Sequence, residues 1–416
     1  MIPAWTACRD RRLTPESRPI SQDDSSRLAE PDPRLRVSVI VPARNEARYL
    51  LGTLRSLTQQ RDAEGETLDP RAFEVIVLAN NCTDETAWLA REFAREHTAI
   101  HVIERTFTRN VAHIGTARRW LMDLACHRLE SVGNPLSLIA STDADTAVGP
   151  GWVAANVAEA AAGADAVAGI IQVNYAELRK LGREVRRAYW LDRIYRRLKL
   201  ELEALIDPNP LDPYPRHDFH GGASLAITPR MYRRVGGLPP LASQEDVALA
   251  EALWRVDARF VHSPRVRVVT SSRLLGRATG GQSQTLARWG LAEEDRVDDA
   301  DAVELELMTR RRLRQLFRSK IDAGAGPWSP NPLDLTELPT KLRMKAEPLA
   351  YLLASGATFG GWLETIKSIS SQNSGQTHWV KVPISDAIAG LRCRLRSVVP
   401  IESAPLAPKG PSDTWV

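Results

Sequence analysis

Asp143 and Asp145, two carboxylates one residue apart in Ser141-Thr142-Asp143-Ala144-Asp145, are the residues whose types and spacing point most directly to chemistry. They end a short apolar run. Alternate side chains along a strand point the same way, so both can face one cation if extended geometry persists. Hard oxygen ligands suit Mg2+ or Mn2+, which can bridge the oxygens of a diphosphate and neutralise a leaving group. The same aspartates would equally begin a turn or cap the helix expected after Gly149-Pro150-Gly151. A second acidic cluster, Gln244-Glu245-Asp246, opens the helical run Val247, Leu249, Ala250, Leu253 and Trp254. Acidic residues there complement a helix dipole. A carboxylate held apart from a metal pair can also take the proton of an acceptor hydroxyl, and Asp246 is the candidate, with Glu245 beside it. Arg273 and Arg277 lie in a glycine-flanked stretch, residues 271–281, where guanidinium groups suit bidentate phosphate binding and the loop can close over a ligand. A solvated surface loop would have the same composition. His217 and His220 sit in a proline-rich stretch with no further ligand pattern, so they are expected to border an acceptor pocket rather than hold zinc.

The elements that must position these residues alternate in type. VSVIVP from Val37 is a β-branched run closed by Pro42, followed by helical spacing at Leu50, Leu51, Leu54 and Leu57. FEVIVLA, the polar turn NNCTDET and a helix through Trp88, Leu89 and Phe93 repeat the pattern, with Thr83 placed as N-cap and Asp84 and Glu85 in the first turn. AIHVIE, a helix through Ala117, Trp120, Leu121 and Leu124, and LSLIAST follow. Alternating strands and helices predict a parallel sheet, and ligands bind beyond the carboxyl ends of such strands. The turns after Val41, Leu78 and Ser141 should therefore share one crevice. AVAGIIQV, GGASLAI and FVHSPRVRVVT are expected to complete the sheet, and residues 179–205 to form a basic amphipathic helix. Trp120 and Trp254 fall on apolar helix faces and are expected in the core.

With 416 residues, 43% hydrophobic and 25% charged, the chain has room for a catalytic domain of about 250 residues plus extensions. Residues 1–34 are expected to be a flexible leader, 35–290 the catalytic domain, and 291–416 a mainly helical extension. A net charge of +4 is too weak to predict a nucleic-acid partner. No apolar run suits a signal peptide or a membrane span, and four scattered cysteines fit thiols, so a cytoplasmic protein is expected. The basic helix could still touch a membrane carrying a lipid acceptor, although a solvated or partner-facing helix is the simpler expectation.

Taken in order and spacing, VSVIVPARNEARYL, VLANNCTDET, HIGTARRW, STDADT, GGASLAITPRMYRRVGGL and QEDVAL resemble glycosyltransferase family 2 over about residues 36–290. The resemblance implies a GT-A fold: an α/β architecture with a Rossmann-like nucleotide-binding half fused to an acceptor-binding half around a mixed, mainly parallel sheet. It also implies metal-dependent transfer from a nucleotide-diphosphate sugar, usually with inversion. By that likeness Pro42, Ala43, Arg44 and Glu46 lie against the nucleotide, and Asn80 and Asp84 in the base-reading turn. His113, Gly115 and Arg118 line the donor. Asp143 and Asp145, with Thr142 and Ala144 between and beside them, match the metal and diphosphate motif, Asp246 matches the base, and His220, Gly221 and Gly222 fall on the acceptor side. Two departures stand out. Asn80 occupies the place where the family commonly has an acid, so the base need not be uracil. Thr270, Ser271 and Ser272 stand where some relatives have a metal-binding histidine. A retaining transferase and a sugar-phosphate nucleotidyltransferase are the competing readings; the latter would normally show a glycine-rich loop after its first strand, whereas Pro42-Ala43-Arg44-Asn45-Glu46 has no glycine. A third is a sugar-nucleotide binding module without turnover.

Overall fold

Alternation of apolar residues in β1 (Val37–Ala43) and β2 (Phe73–Asn80) dictates a sheet buried on both faces. Val37, Val39, Val41, Val75 and Val77 enter one core, while Ile40, Ile76 and Leu78 enter the other. The computed structural model describes residues 28–276, 281–291, 294–324, 328–342, 344–373 and 381–397. Its further strands are β3 (Ile100–Arg105), β4 (Leu138–Ser141), β5 (Thr146–Val148), β6 (Ala166–Val173), β7 (Leu225–Ile227) and β8 (Phe260–Thr270), in the spatial order β3-β2-β1-β4-β7-β6-β8-β5. The pairs β1/β2, β1/β4, β2/β3 and β6/β8 are parallel, and β7 runs antiparallel to both β4 and β6. This is the mixed, mainly parallel sheet that the resemblance implies.

The helices are α1 (Leu50–Thr58), α2 (Thr86–Ala94), α3 (Ile114–Val132), α4 (Trp152–Ala161), α5 (Tyr175–Leu178), α6 (Arg183–Ile206), α7 (Pro229–Arg234), α8 (Glu245–Arg255), α9 (Gln282–Trp289), α10 (Ala300–Asp322), α11 (Asp334–Leu342), α12 (Ala346–Ser355), α13 (Phe359–Asn373) and α14 (Ile384–Ser397). The chain divides into two compact units. The first comprises residues 1–186, 215–292 and 356–367, and the second residues 187–214, 293–355 and 368–416. The sheet belongs to the first unit. In the second, Leu202, Val303, Leu307 and Leu391 form a small core, and Arg310 and Arg314 pair with the buried Asp207 at 2.5 and 2.8 Å. Among the described residues no helix is long and apolar enough to cross a membrane.

Several local expectations change. Pro42 does not close β1, which runs on to Ala43. The β1/β4 ladder stops at Ile40, so the N–H missing at Pro42 faces no waiting carbonyl. Thr83 is not the N-cap of α2. Its N–H and hydroxyl are engaged by Asn45, and the helix starts at Thr86, whose N–H donates to Asp84 at 3.0 Å. GGASLAI contributes only Leu225–Ile227 to the sheet, because Ser224 N–H turns back to the Gly221 carbonyl. Trp120 is core, but Trp254 is 42% exposed.

Candidate active site

The crevice at the carboxyl ends of β1, β2 and β4 is braced by polar side chains of the turns themselves. Asn45 takes a left-handed φ of 55° and accepts the Thr83 N–H at 2.7 Å, joining the first two turns. Asp84 accepts the N–H groups of Ala47 (3.3 Å) and Thr86, and the Thr86 hydroxyl accepts the Glu46 N–H at 2.7 Å. Asp84 is thus engaged in holding backbone. Asn81, also left-handed, exchanges two hydrogen bonds with the Phe107 backbone at 2.8 and 3.1 Å. Asn80 is the last residue of β2 and is buried, and Arg44 reaches the Ala112 carbonyl at 2.9 Å. Pro42 and Ala43 form the end of β1.

Asp143 and Asp145 do not continue β4. They form a turn closed by Thr146 N–H to the Asp143 carbonyl at 3.1 Å, and extended geometry ends at Ser141. The strand cannot continue because Thr53 of α1 donates to the Ala144 carbonyl at 2.9 Å and Ser271 N–H to the Asp145 carbonyl at 3.1 Å. Thr142 and Ala144 are buried within this turn. Each aspartate meets a different arginine. Arg118, from the second turn of α3, donates to Asp143 at 2.6 Å and also pairs with Glu245. Arg273, after β8, bonds both oxygens of Glu46 at 2.8 and 2.9 Å, reaches Asp145 at 3.0 Å and lies over the Tyr49 ring at 5.7 Å. The Ser271 hydroxyl donates to Asp145 at 2.6 Å. Arg277 lies outside the described residues.

The sequence also brings the second acidic cluster here. Gln244, left-handed at φ 58°, precedes α8, so that Glu245 turns inward to Arg118. Asp246 accepts the Gly222 N–H at 2.8 Å and its neighbour Val247's N–H at 2.8 Å. Gly222 gives Arg118 its room: a Cβ there would come within 2.4 Å of the guanidinium carbon, which would have to shift. At Gly115 a Cβ would meet the Leu241 carbonyl oxygen at 1.9 Å, so this glycine lets the start of α3 abut residue 241. Gly221 leads into the same segment, and its own Cβ would lie 3.7 Å from an Asp246 oxygen. His220 packs edge-on against Trp254 at 5.2 Å and lies 6.2 Å from His262; burial pushes its pKa down.

Negative charge is in excess around Arg118. Burial is the main cause that raises the Asp143 carboxyl to about 6; Arg118 opposes the rise, and Asp145, Glu245 and Asp246 add to it. Burial likewise raises Glu245. Among the described residues no three His, Cys, Asp or Glu side chains form a metal cage. Two carboxylates nevertheless fit an ion whose remaining positions are filled by phosphate and water, the usual arrangement for Mg2+, and the uncompensated negative charge favours a cation there. Ser271, Tyr49 and Thr53 are the contributors that sequence reasoning missed. Ser271 was readable only as the replacement for a histidine, and the other two carry no motif signal.

The Glycosyl transferase family 2 model matches residues 38–213, which span β1 to β6 and both aspartates but end before Gly221, Glu245 and Asp246. No curated protein matches the sequence significantly. Among solved structures, the chain is similar to the mannosyltransferase PcManGT from Pyrobaculum calidifontis in complex with GDP-Man and Mn2+, with 18% identity, 88% of this chain and 89% of that one covered, and a TM-score of 0.40. It is also similar to S. aureus TarS 1-349 in complex with UDP, with 12% identity, coverage of 83% and 93%, and a TM-score of 0.39. GalNAc-T7 with UDP, GalNAc and Mn2+ gives 15% identity, coverage of 81% and 58%, and a TM-score of 0.40. Residues 38–213 thus match a Glycosyl transferase family 2 domain, and they fold on a mixed, mainly parallel sheet.

Proposed function

We propose that the chain transfers a sugar from a nucleotide-diphosphate sugar to an acceptor hydroxyl in a metal-dependent reaction, by direct displacement with inversion. The observation that carries this reading is the convergence of Asp143, Glu245 and Asp246 around Arg118, with Asp145 two residues further along the same turn. Asp143 and Asp145 would hold Mg2+ or Mn2+, which when bound would neutralise charge on the donor diphosphate. The β1 and β2 turns, with Asn80 at the end of β2, would seat the nucleotide, and Arg118 would position Asp143 and Glu245 rather than touch the donor. Such a guanidinium cannot be replaced by lysine without losing its two-sided grip.

Asp246 acts as the base in this reading. The backbone N–H groups of Gly222 and Val247 fix the carboxylate's orientation. As the acceptor oxygen bonds to the anomeric carbon, the bond to the diphosphate oxygen breaks and the acceptor proton passes to Asp246. His220 and the segment Gly221–Gly222 border the space from which the acceptor approaches. A thermal-shift panel of UDP-, GDP-, dTDP- and CDP-sugars, with and without Mn2+ and on Asp145→Ala, tests the donor site. Metal-dependent stabilisation by one nucleotide class, lost in the variant, is expected. Stabilisation without metal, or equal stabilisation of the variant, would remove the metal role. The anomeric configuration of the product, read by NMR, separates inversion from retention.

A further inference from the structure

Arg273, which the sequence marks as a phosphate-binding residue, is committed to carboxylates instead. Its two terminal nitrogens bond the two oxygens of Glu46 at 2.8 and 2.9 Å, and one of them also lies 3.0 Å from Asp145. All three side chains are largely withdrawn from water: 23% of the arginine's and 9% of each carboxylate's stays exposed. To grip a phosphate the guanidinium would have to leave both, stranding two carboxylates that the fold has nearly buried. Its backbone is fixed as well. Ser271 N–H donates to the Asp145 carbonyl at 3.1 Å, Ser272 N–H to Glu177 at 2.7 Å, and the Ser272 hydroxyl to the Asn174 carbonyl at 2.8 Å.

The three charged partners come from separate turns. Glu46 follows β1, Asp145 follows β4 and Arg273 follows β8. The ladder between β1 and β4 ends at Ile40 and Ser141, so side chains must hold the turns beyond it to each other. Arg273 joins both through one planar group, which lies 5.7 Å from the centre of the Tyr49 ring. Its contact with Asp145 is one-sided. Arg273 and the Ser271 hydroxyl, at 2.6 Å, meet the same carboxylate oxygen, whereas among the described residues the other oxygen meets only the Thr146 hydroxyl at 3.5 Å. One oxygen is therefore pinned, and the other is the one left to meet a cation, which is how a partner outside the coordination sphere orients a metal ligand.

We propose that Arg273 is a positioning residue: it ties Asp145 to the β1 turn through Glu46, orients that carboxylate for the cation, and does not itself bind the donor's phosphates. The inference rests on the reading that Asp143 and Asp145 hold Mg2+ or Mn2+ against a nucleoside diphosphate, and the test separates the two. Isothermal titration with UDP, GDP, dTDP and CDP, each with Mn2+ and with EDTA, is run on the wild type, Arg273→Lys, Ser271→Ala and Asp145→Ala, with melting curves to confirm folding. In the wild type, Mn2+ should tighten the binding of at least one nucleotide by about tenfold or more. Arg273→Lys keeps the charge but not the planar fork. It should lose about tenfold of Mn2+-dependent tightening, the usual cost of removing a group that holds a metal ligand, while metal-free binding stays within about twofold. Ser271→Ala, which changes no charge, should lose part of the tightening in the same direction, and it decides alone should Arg273→Lys fail to fold. Full tightening by Mn2+ in both variants overturns the proposal. Weaker metal-free binding in Arg273→Lys with the tightening retained, the mark of a phosphate ligand, overturns it too. If Mn2+ does not tighten binding to the wild type, or Asp145→Ala keeps the tightening, the metal reading itself falls and this inference with it.

Discussion

Two buried arginines ten residues apart on α3 have opposite surroundings. Arg128 is matched to one carboxylate: it grips Glu74 at 2.6, 3.0 and 3.1 Å, and its remaining donors include one bonded to the Ala29 carbonyl at 2.9 Å. Ser38 completes the group by donating to Glu74 at 2.9 Å. Arg118, equally buried, is shared between Asp143 and Glu245 with Asp246 nearby, and burial, reinforced by the surplus negative charge, raises Asp143 despite the arginine. The balanced cluster lies deep under the sheet, whereas the unbalanced one opens on the crevice. A fold can bury charge at either place, but only an imbalance leaves a demand that a ligand can meet.

The sharpest way to break this contrast is Arg128→Met, which strands Glu74 without its partner. Loss of about 3–5 kcal/mol of stability is expected, since removing one member of a buried pair leaves an uncompensated charge. Urea denaturation measures it, and a near-neutral result would mean that the Glu74 cluster is not the structural one. On the crevice side, Asp246→Asn should lower the transfer rate by about 10²–10⁴, the usual worth of a general base. Its melting temperature should hardly move, because an asparagine oxygen can still accept the Gly222 N–H. Wild-type turnover in that variant would take the base role away from Asp246.

Gly222→Ala probes how tightly Arg118 is held, for its methyl would enter the guanidinium. A cost of about 1–3 kcal/mol is expected from overpacking, with impaired nucleotide binding, and an unchanged melting curve would mean the arginine can move aside. The smallest effect concerns pH. The folded state raises Asp143 from 3.8 to about 6, so it binds that proton more tightly than the unfolded chain does. The resulting stability is present below pH 3.8 and is lost as pH rises through about 6. Without metal, the wild type should therefore lose stability relative to Asp143→Asn across that window. Added Mn2+ should stabilise the wild type increasingly as pH passes about 6, where the carboxylate is free of its proton. Parallel pH profiles for the two proteins would show that Asp143 carries no such excess charge.

Much of the fold was legible because β-branched alternation at Val37–Val41 and Val75–Leu78 leaves each strand few ways to sit. The residues of the crevice were legible as motifs but not as partners. Nothing in the spacing joins Arg118 to Glu245, 127 positions away, or Arg273 to Glu46, 227 positions away. The end of β4 at Ser141 was also hidden, because it is decided by Thr53 and Ser271 pulling on the Ala144 and Asp145 carbonyls. Nor does the order of the chain reveal that residues 356–367 belong with the first compact unit, where Glu364 pairs with Arg255 and Asp257 accepts the N–H groups of Phe359 and Gly360.

By itself the sequence determined the period of each element and the types of residue placed at the strand ends, since both are local consequences of side-chain shape and polarity. Only the tertiary structure decided which arginine each carboxylate meets and where charge is left over. Those outcomes depend on distances of a few ångströms between remote segments, and on how much water the fold excludes from between them.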